Sequence, residues 1–204
     1  MPPTSPVVLA IIAANVVVSL FAFRAHGAER DRFVFIPHRF ARGENVLGML
    51  LSHLSHADWG HLAVNMVALV MFSPIIERHL GAPALLIVYV GAGAIATAAT
   101  FVLRRHDPRF RSLGASGSTA GVLFAAIVVQ PQMRLSLLFL PIPVPAPVFA
   151  VAYLVASSFL MGREGSRTCH EAHVGGALAG LIIGALLAPH GLGPLLSRVH
   201  HLLG

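Results

Sequence analysis

The chain has 204 residues, 56% of them hydrophobic and only 11% charged, with a mean hydropathy of +0.78. A soluble domain needs far more charge to cover its surface, so the composition excludes that class and fits a polytopic membrane protein. The formal charge of +6 rests on arginines in short loops between apolar stretches, which makes lipid headgroups the expected partners and not nucleic acid.

Residues 7–23 are uncharged and apolar and form the first expected span. No basic segment precedes them and no evident cleavage site follows, so they do not read as a removed signal peptide. Residues 24–56 form a long mixed loop. Arg24, Arg30, Arg32, Arg39 and Arg42 stand against Glu29, Asp31 and Glu44, with Phe33, Phe35, Ile36 and Phe40 interleaved. That mixture suits a segment lying in the membrane interface.

The second span is expected over 60–76, interrupted only by His61 and Asn65 and ended by Glu77, Arg78, His79 and Gly81. The third covers 82–103, where abundant Gly and Ala favour close helix packing. A basic turn over 104–111 leads to the fourth span, 113–129. After a turn at 130–134, Pro141, Pro143, Pro145 and Pro147 keep the chain extended, so the fifth helix is expected over 147–161. A polar loop, 162–170, precedes the sixth span, 172–188. The tail from 189 is expected at the interface. The whole reads as one all-α domain, residues 1–204, of six spans at roughly 20 residues each plus loops. The single Cys169 excludes an intrachain disulfide.

Few polar groups fall inside these spans. Each unsatisfied one costs several kcal/mol in hydrocarbon, so intramembrane polar residues are functional candidates when they face the bundle interior. His173 opens the sixth span, and Gly176, Gly180 and Gly184 follow on its face. Ser116 heads the fourth span with Gly117, Ala120 and Gly121 beside it. Two small-residue faces allow close approach and bring a serine and a histidine into the nucleophile–base relation that lets a hydroxyl attack a carbonyl. Packing glycines with incidental polar residues are an equally good reading of the spacing.

His61 and Asn65 stand at i, i+4 and share a face. Both can donate to a tetrahedral oxyanion together with the Ser116 N–H; taken alone, the pair reads more simply as helix-packing polar residues. His53, His56 and His61 lack metal-ligand spacing and a completing thiolate, with only Asp58 nearby, so no metal is expected. Cys169-His170 are adjacent in a loop and read as incidental.

With these residues in place the sequence resembles the rhomboid intramembrane serine proteases, from about 52 to 184. His56, His61 and Asn65 are similar to the family's second-helix His-x4-His-x3-Asn pattern. Glu77 with Gly81 resembles the end of that helix. Gly114-Ala115-Ser116-Gly117 matches Gly-x-Ser-Gly, and Ala172-His173-Val174-Gly175-Gly176 with Gly180 matches the sixth-helix histidine motif.

The resemblance implies a six-helix rhomboid-like bundle with a Ser–His dyad and no cofactor. Ser116 would be the nucleophile, and His173 the base and then the acid for the leaving amine. His61, Asn65 and the Ser116 N–H would form the oxyanion hole, with His56, Gly114 and Gly117 supporting. Substrates would be single transmembrane helices admitted laterally beside the fifth helix, in a bacterial or archaeal cell membrane. The oligomeric state stays open.

Three departures from the family pattern stand out. Ala120 occupies the place of an aromatic that stacks on the histidine, and Tyr153 is a candidate substitute. Leu47-Gly48 stand near the place of a Trp-Arg pair. Most arginines lie in the first, third and fifth loops, which the positive-inside rule assigns to the cytoplasm, whereas the resemblance puts that side outside it. Two rival readings remain: a non-catalytic relative that binds transmembrane helices, and a histidine-lined transporter or metal carrier. Intact Ser116 and His173 count against the first. The scarcity of chelating groups deep in the spans counts against the second.

Overall fold

A computed structural model of the chain describes residues 5–137, 140–160 and 169–203. Helix α1 is Pro6–Arg24, started by Ser5, whose hydroxyl accepts from the Val8 N–H, and by Pro6 at the first helical position. The same hydroxyl donates to Glu77 Oε1 at 2.6 Å, tying the start of α1 to the end of α4, Trp59–Leu80. Helix α5, Ala82–Arg104, follows directly, because Gly81 takes a φ of +85° that stops α4. Asn15 on α1 donates to the Tyr89 hydroxyl of α5 at 2.9 Å, which pairs a polar group inside an apolar bundle.

Helix α6, Ser116–Val129, is the centre of the bundle; residues 117 to 128 are all buried. A short antiparallel hairpin follows, β1 (Arg134–Leu137) with β2 (Leu140–Pro145), pairing Leu135 with Val144. The proline run therefore forms one strand of a two-stranded ribbon. Both strands of such a ribbon are edges, where missing N–H groups are tolerated. Then come α7 (Ala146–Leu160), α8 (His170–Leu187) and α9 (Gly193–Leu203). The expected end of the fifth span at 161 and most of the loop 162–170 lie outside the described residues.

Among the described residues, α1, α4, α5 and α8 are long and apolar enough to cross a membrane, while α6 and α7 are shorter apolar helices. Their outward faces carry exposed Phe21, Val64, Val90, Val151 and Ile182, the surface that lipid covers in a membrane protein.

The first loop is more ordered than its composition foretells. It folds into a 3-10 turn, Gly27–Phe33, then α2 (Pro37–Phe40) and α3 (Val46–Ser52). Asn45 stitches it from a left-handed conformation, φ 59°, accepting from the Ile36 N–H at 2.8 Å and donating to Asp31 O at 2.7 Å. Gly48 is needed here, since a Cβ would lie 2.5 Å from both Asp31 O and Val34 O. Phe35 and Ser112 exchange backbone hydrogen bonds at 2.8 and 3.0 Å. That bridge fastens the loop to the segment leading into Ser116.

An ion pair that the sequence did not announce fixes the start of α8. Glu171, 4% exposed, accepts from Arg104 Nε at 2.7 Å and also from Nη2.

Candidate active site

The site is built from the N-terminal ends of α4, α6 and α8. At α4 the Asp58 carboxylate accepts from the His61 N–H at 2.8 Å, an N-cap that sets the first turn and with it the direction of His61. One turn on, Asn65 is 4% exposed. Its Oδ1 accepts from Thr119 Oγ1 of α6 at 2.7 Å, and its Nδ2 donates to His61 O at 2.8 Å. An amide has two N–H donors, so one remains beyond the His61 carbonyl.

Before α6 the chain turns through Gly114 at φ +123°, a region closed to other residues. A Cβ here would also sit 2.5 Å from His61 Cε1. Ser116 is the first residue of α6. Its N–H has no intrahelical acceptor, and the positive end of the helix dipole lies there.

At α8, His173 lies in the first turn. Its ring stacks on Tyr153 of α7, with centroids 6.2 Å apart and planes at 25°. His173 Nε2 is buried and has no hydrogen-bond partner among the described residues. Buried orphan nitrogens are rare enough that each calls for an explanation. One cavity of about 470 Å³ is lined by Ser116 and Thr119 of α6, His61 and Asn65 of α4, Tyr153 and His173. The four residues that the sequence singled out for chemistry thus face one space.

Glycines create this closeness. Cβ atoms built on Gly176 and Gly180 would lie 2.0 and 2.2 Å from the carbonyl oxygens of Gly117 and Gly121. The backbones of α6 and α8 touch along these turns, which sets Ser116 and His173 at the same level of the bundle.

His56 supports the segment before Ser116. Ser19 Oγ donates to Leu54 O at 3.1 Å and meets His56 Nδ1 at 2.9 Å. With the serine proton on Leu54, Nδ1–H is the donor to Ser19, and Nε2 accepts from the Ala115 N–H at 3.5 Å. Burial, and secondarily the neighbouring His61, push His56 down from 6.5 to about 4, so it is neutral, as this network requires. Its folded-state pKa lies below its unfolded one. The stability it contributes is complete above the unfolded value and is lost as pH falls through the window between the two. Thermal unfolding in detergent is expected to move to lower temperature between about pH 7.5 and pH 5, and by less in His56→Gln. An identical pH response in the variant assigns the effect to other groups.

Of the other histidines, His170 meets His173 edge to face with ring centroids 5.8 Å apart, while His53 stands off. His53 Nε2 bonds Thr97 Oγ1 at 2.7 Å, away from His56 and His61. Cys169 sits before α8 with its sulfur 3.7 Å from Thr100 Oγ1. Sequence reading missed Thr119 and Ser19. Both act through residues far away in the chain; only the i+3 position of Thr119 relative to Ser116 hinted at a role. Tyr153 does stack on His173, beside the place that Ala120 leaves without a ring.

A family model described as the Rhomboid domain matches residues 43–190. The chain is 34% identical over 178 residues to the presenilin-associated rhomboid-like protein, mitochondrial, of Bos taurus, covering 85% of this chain and 46% of that protein. The Homo sapiens protein of the same name gives the same identity and coverage. The chain thus spans about half the length of these curated relatives. It is also 30% identical over 184 residues to YdcA of Bacillus subtilis (strain 168), named as a candidate rhomboid protease, covering 89% of this chain and 88% of YdcA.

Proposed function

The chain belongs to the rhomboid family of multi-pass membrane proteins, and from that premise we propose that it is a serine endopeptidase cutting single-span membrane proteins in or near the bilayer. The observation that carries this reading is the shared cavity, with Ser116 at a helix N-terminus and the unpartnered His173 Nε2 facing one space. Ser116 Oγ gives its proton to His173 Nε2 and attacks the substrate carbonyl carbon. The Ser116 N–H, the second Nδ2 proton of Asn65 and His61 receive the oxyanion. His173 then protonates the leaving amine, and a water activated by the same nitrogen releases the acyl group.

Six helices span in this reading, the two shorter ones included. At 14 residues α6 is about 21 Å long, short of a hydrocarbon core of about 30 Å. Its Ser116 end therefore stops below the headgroups, where the cavity admits water. Val64 and Ala68 of α4 and Tyr153 of α7 border that cavity, so a substrate helix approaches between α4 and α7. The Bacillus relative supports a bacterial or archaeal cell membrane as the location; the relatives named mitochondrial make an organelle membrane the alternative.

A fluorophosphonate probe tests the assignment. It is expected to label the purified protein on Ser116, with labelling lost in Ser116→Ala. Labelling that persists without Ser116, or none in folded protein, favours instead a relative that binds membrane helices without cutting them. His61→Ala and Asn65→Ala are each expected to slow cleavage by roughly 10²–10³-fold if they donate to the oxyanion. Unchanged rates assign them to packing.

A further inference from the structure

A second cavity, of about 530 Å³, lies between the first loop and α5 and is lined by residues of α3, α5 and the loop. On α5 its wall follows one stripe, Tyr89, Gly93, Ala94, Thr97 and Phe101. Twelve residues of helix rise about 18 Å, so the groove runs from the loop end of α5 towards the middle of the bilayer. Its lining is almost wholly apolar. Its deep polar groups are few: His53 Nε2 and Thr97 Oγ1 lie 2.7 Å apart, the Tyr89 hydroxyl accepts from Asn15, and Ser118 of α6 adds a third. Val90 and Leu50 on its rim are 63% and 56% exposed, so the groove opens on the lipid side.

The mouth has a different character. Phe40 and Phe101 close it edge to face, with centroids 5.5 Å apart. Arg105 follows Phe101 by one helical turn and therefore stands above it. The Arg105 carbonyl is 3.2 Å from His38 Nδ1, and His38 Nε2 contacts Arg42. Arg42, Arg105 and the neighbouring His106 are exposed. Two guanidinium groups, Arg42 and Arg105, thus stand where the groove meets the interface, with His106 accepting from Arg105 Nε at 3.1 Å.

We propose that this groove is a binding site for an anionic phospholipid, with one acyl chain lying along α5 from Phe101 towards Tyr89 and the phosphate held by Arg42 and Arg105. The direction of the groove, its apolar wall and the charge at one end match a lipid standing parallel to the bilayer normal. A soluble anion would use only the mouth, and a protein helix would not need the basic end. The groove shares no lining residue with the cavity that holds Ser116, so it stands whether or not the chain cuts peptides.

Native mass spectrometry of the full chain in detergent, with phosphatidylglycerol or phosphatidylcholine added, tests this. The intact protein is expected to retain phosphatidylglycerol at least about tenfold more tightly than phosphatidylcholine. Arg42→Gln with Arg105→Gln is expected to remove that preference. Ala94→Phe, which fills the groove from its exposed side, is expected to weaken retention of phosphatidylglycerol while Ser116 labelling continues. Equal retention of the two lipids by the intact protein, or an unchanged preference in the double arginine variant, overturns the site.

Discussion

Replacing His173 by alanine is expected to lower turnover of a single-span substrate by about 10⁴-fold or more, and to leave the fold intact. Alanine is a good helix former, and the loss on the packing side is one ring stacked against Tyr153 and edge-on to His170. The loss on the chemical side is the nitrogen that, in the proposed reaction, takes the proton of Ser116. That nitrogen is buried and unbonded among the described residues, which in a folded protein is costly unless a reacting group engages it. Ser116→Ala is expected to cost as much, and the double variant no more than either, if the two residues act as the proposed unit. Tyr153→Ala should fall between, loosening the imidazole without removing it. Rates measured in proteoliposomes decide: a His173→Ala variant within about tenfold of the parent means that another base serves Ser116.

The apolar helices were legible because hydrocarbon is an unforgiving solvent. Each apolar run had to hold its own backbone hydrogen bonds, and the helices run close to the expected residues. The second ends four residues late, at Leu80, and the fourth starts at Ser116 once Gly114 has turned. The candidate site was legible for a related reason. Ser116, His173, His61 and Asn65 were among the few polar residues in apolar runs. What stayed hidden depends on pairs far apart in the chain. Glu171 reads as an ordinary loop-end acid until Arg104 meets it. Ser19 looks like a neutral span residue until it orients His56. The first loop looked interfacial because its charges are mixed with phenylalanines; Asn45 and the Phe35–Ser112 bridge, which order it, carry no local pattern. The hairpin before α7 was masked by its prolines, which argue against strands except at edges.

Gly180→Leu is expected to be among the most disruptive single changes in the bundle, and even Gly180→Ala should lower stability by about 3 kcal/mol. A Cβ at 180 lands 2.2 Å from Gly121 O, a backbone atom that no rotamer change can move. To reach ordinary contact α6 and α8 must part by more than about 1 Å. Helix α6 has no room to retreat. On its other side, Cβ atoms at Gly117 and Gly121 would lie 2.6 and 2.1 Å from the Cβ atoms of Ala96 and Ala92 on α5. The three helices form a sandwich with the smallest residues at both seams, so a displacement at one seam becomes a clash at the other. Ile182, on the lipid side of α8 and 60% exposed, provides the control, and Ile182→Ala should change little. Thermal unfolding in detergent separates the outcomes. A Gly180→Ala protein melting within about 2 °C of the parent would mean that the seam yields more easily than close-packed backbones allow. Activity should fall further than the folded fraction, because shifting α8 carries His173 away from Ser116, and a misplacement of about 1 Å can cost 10²-fold.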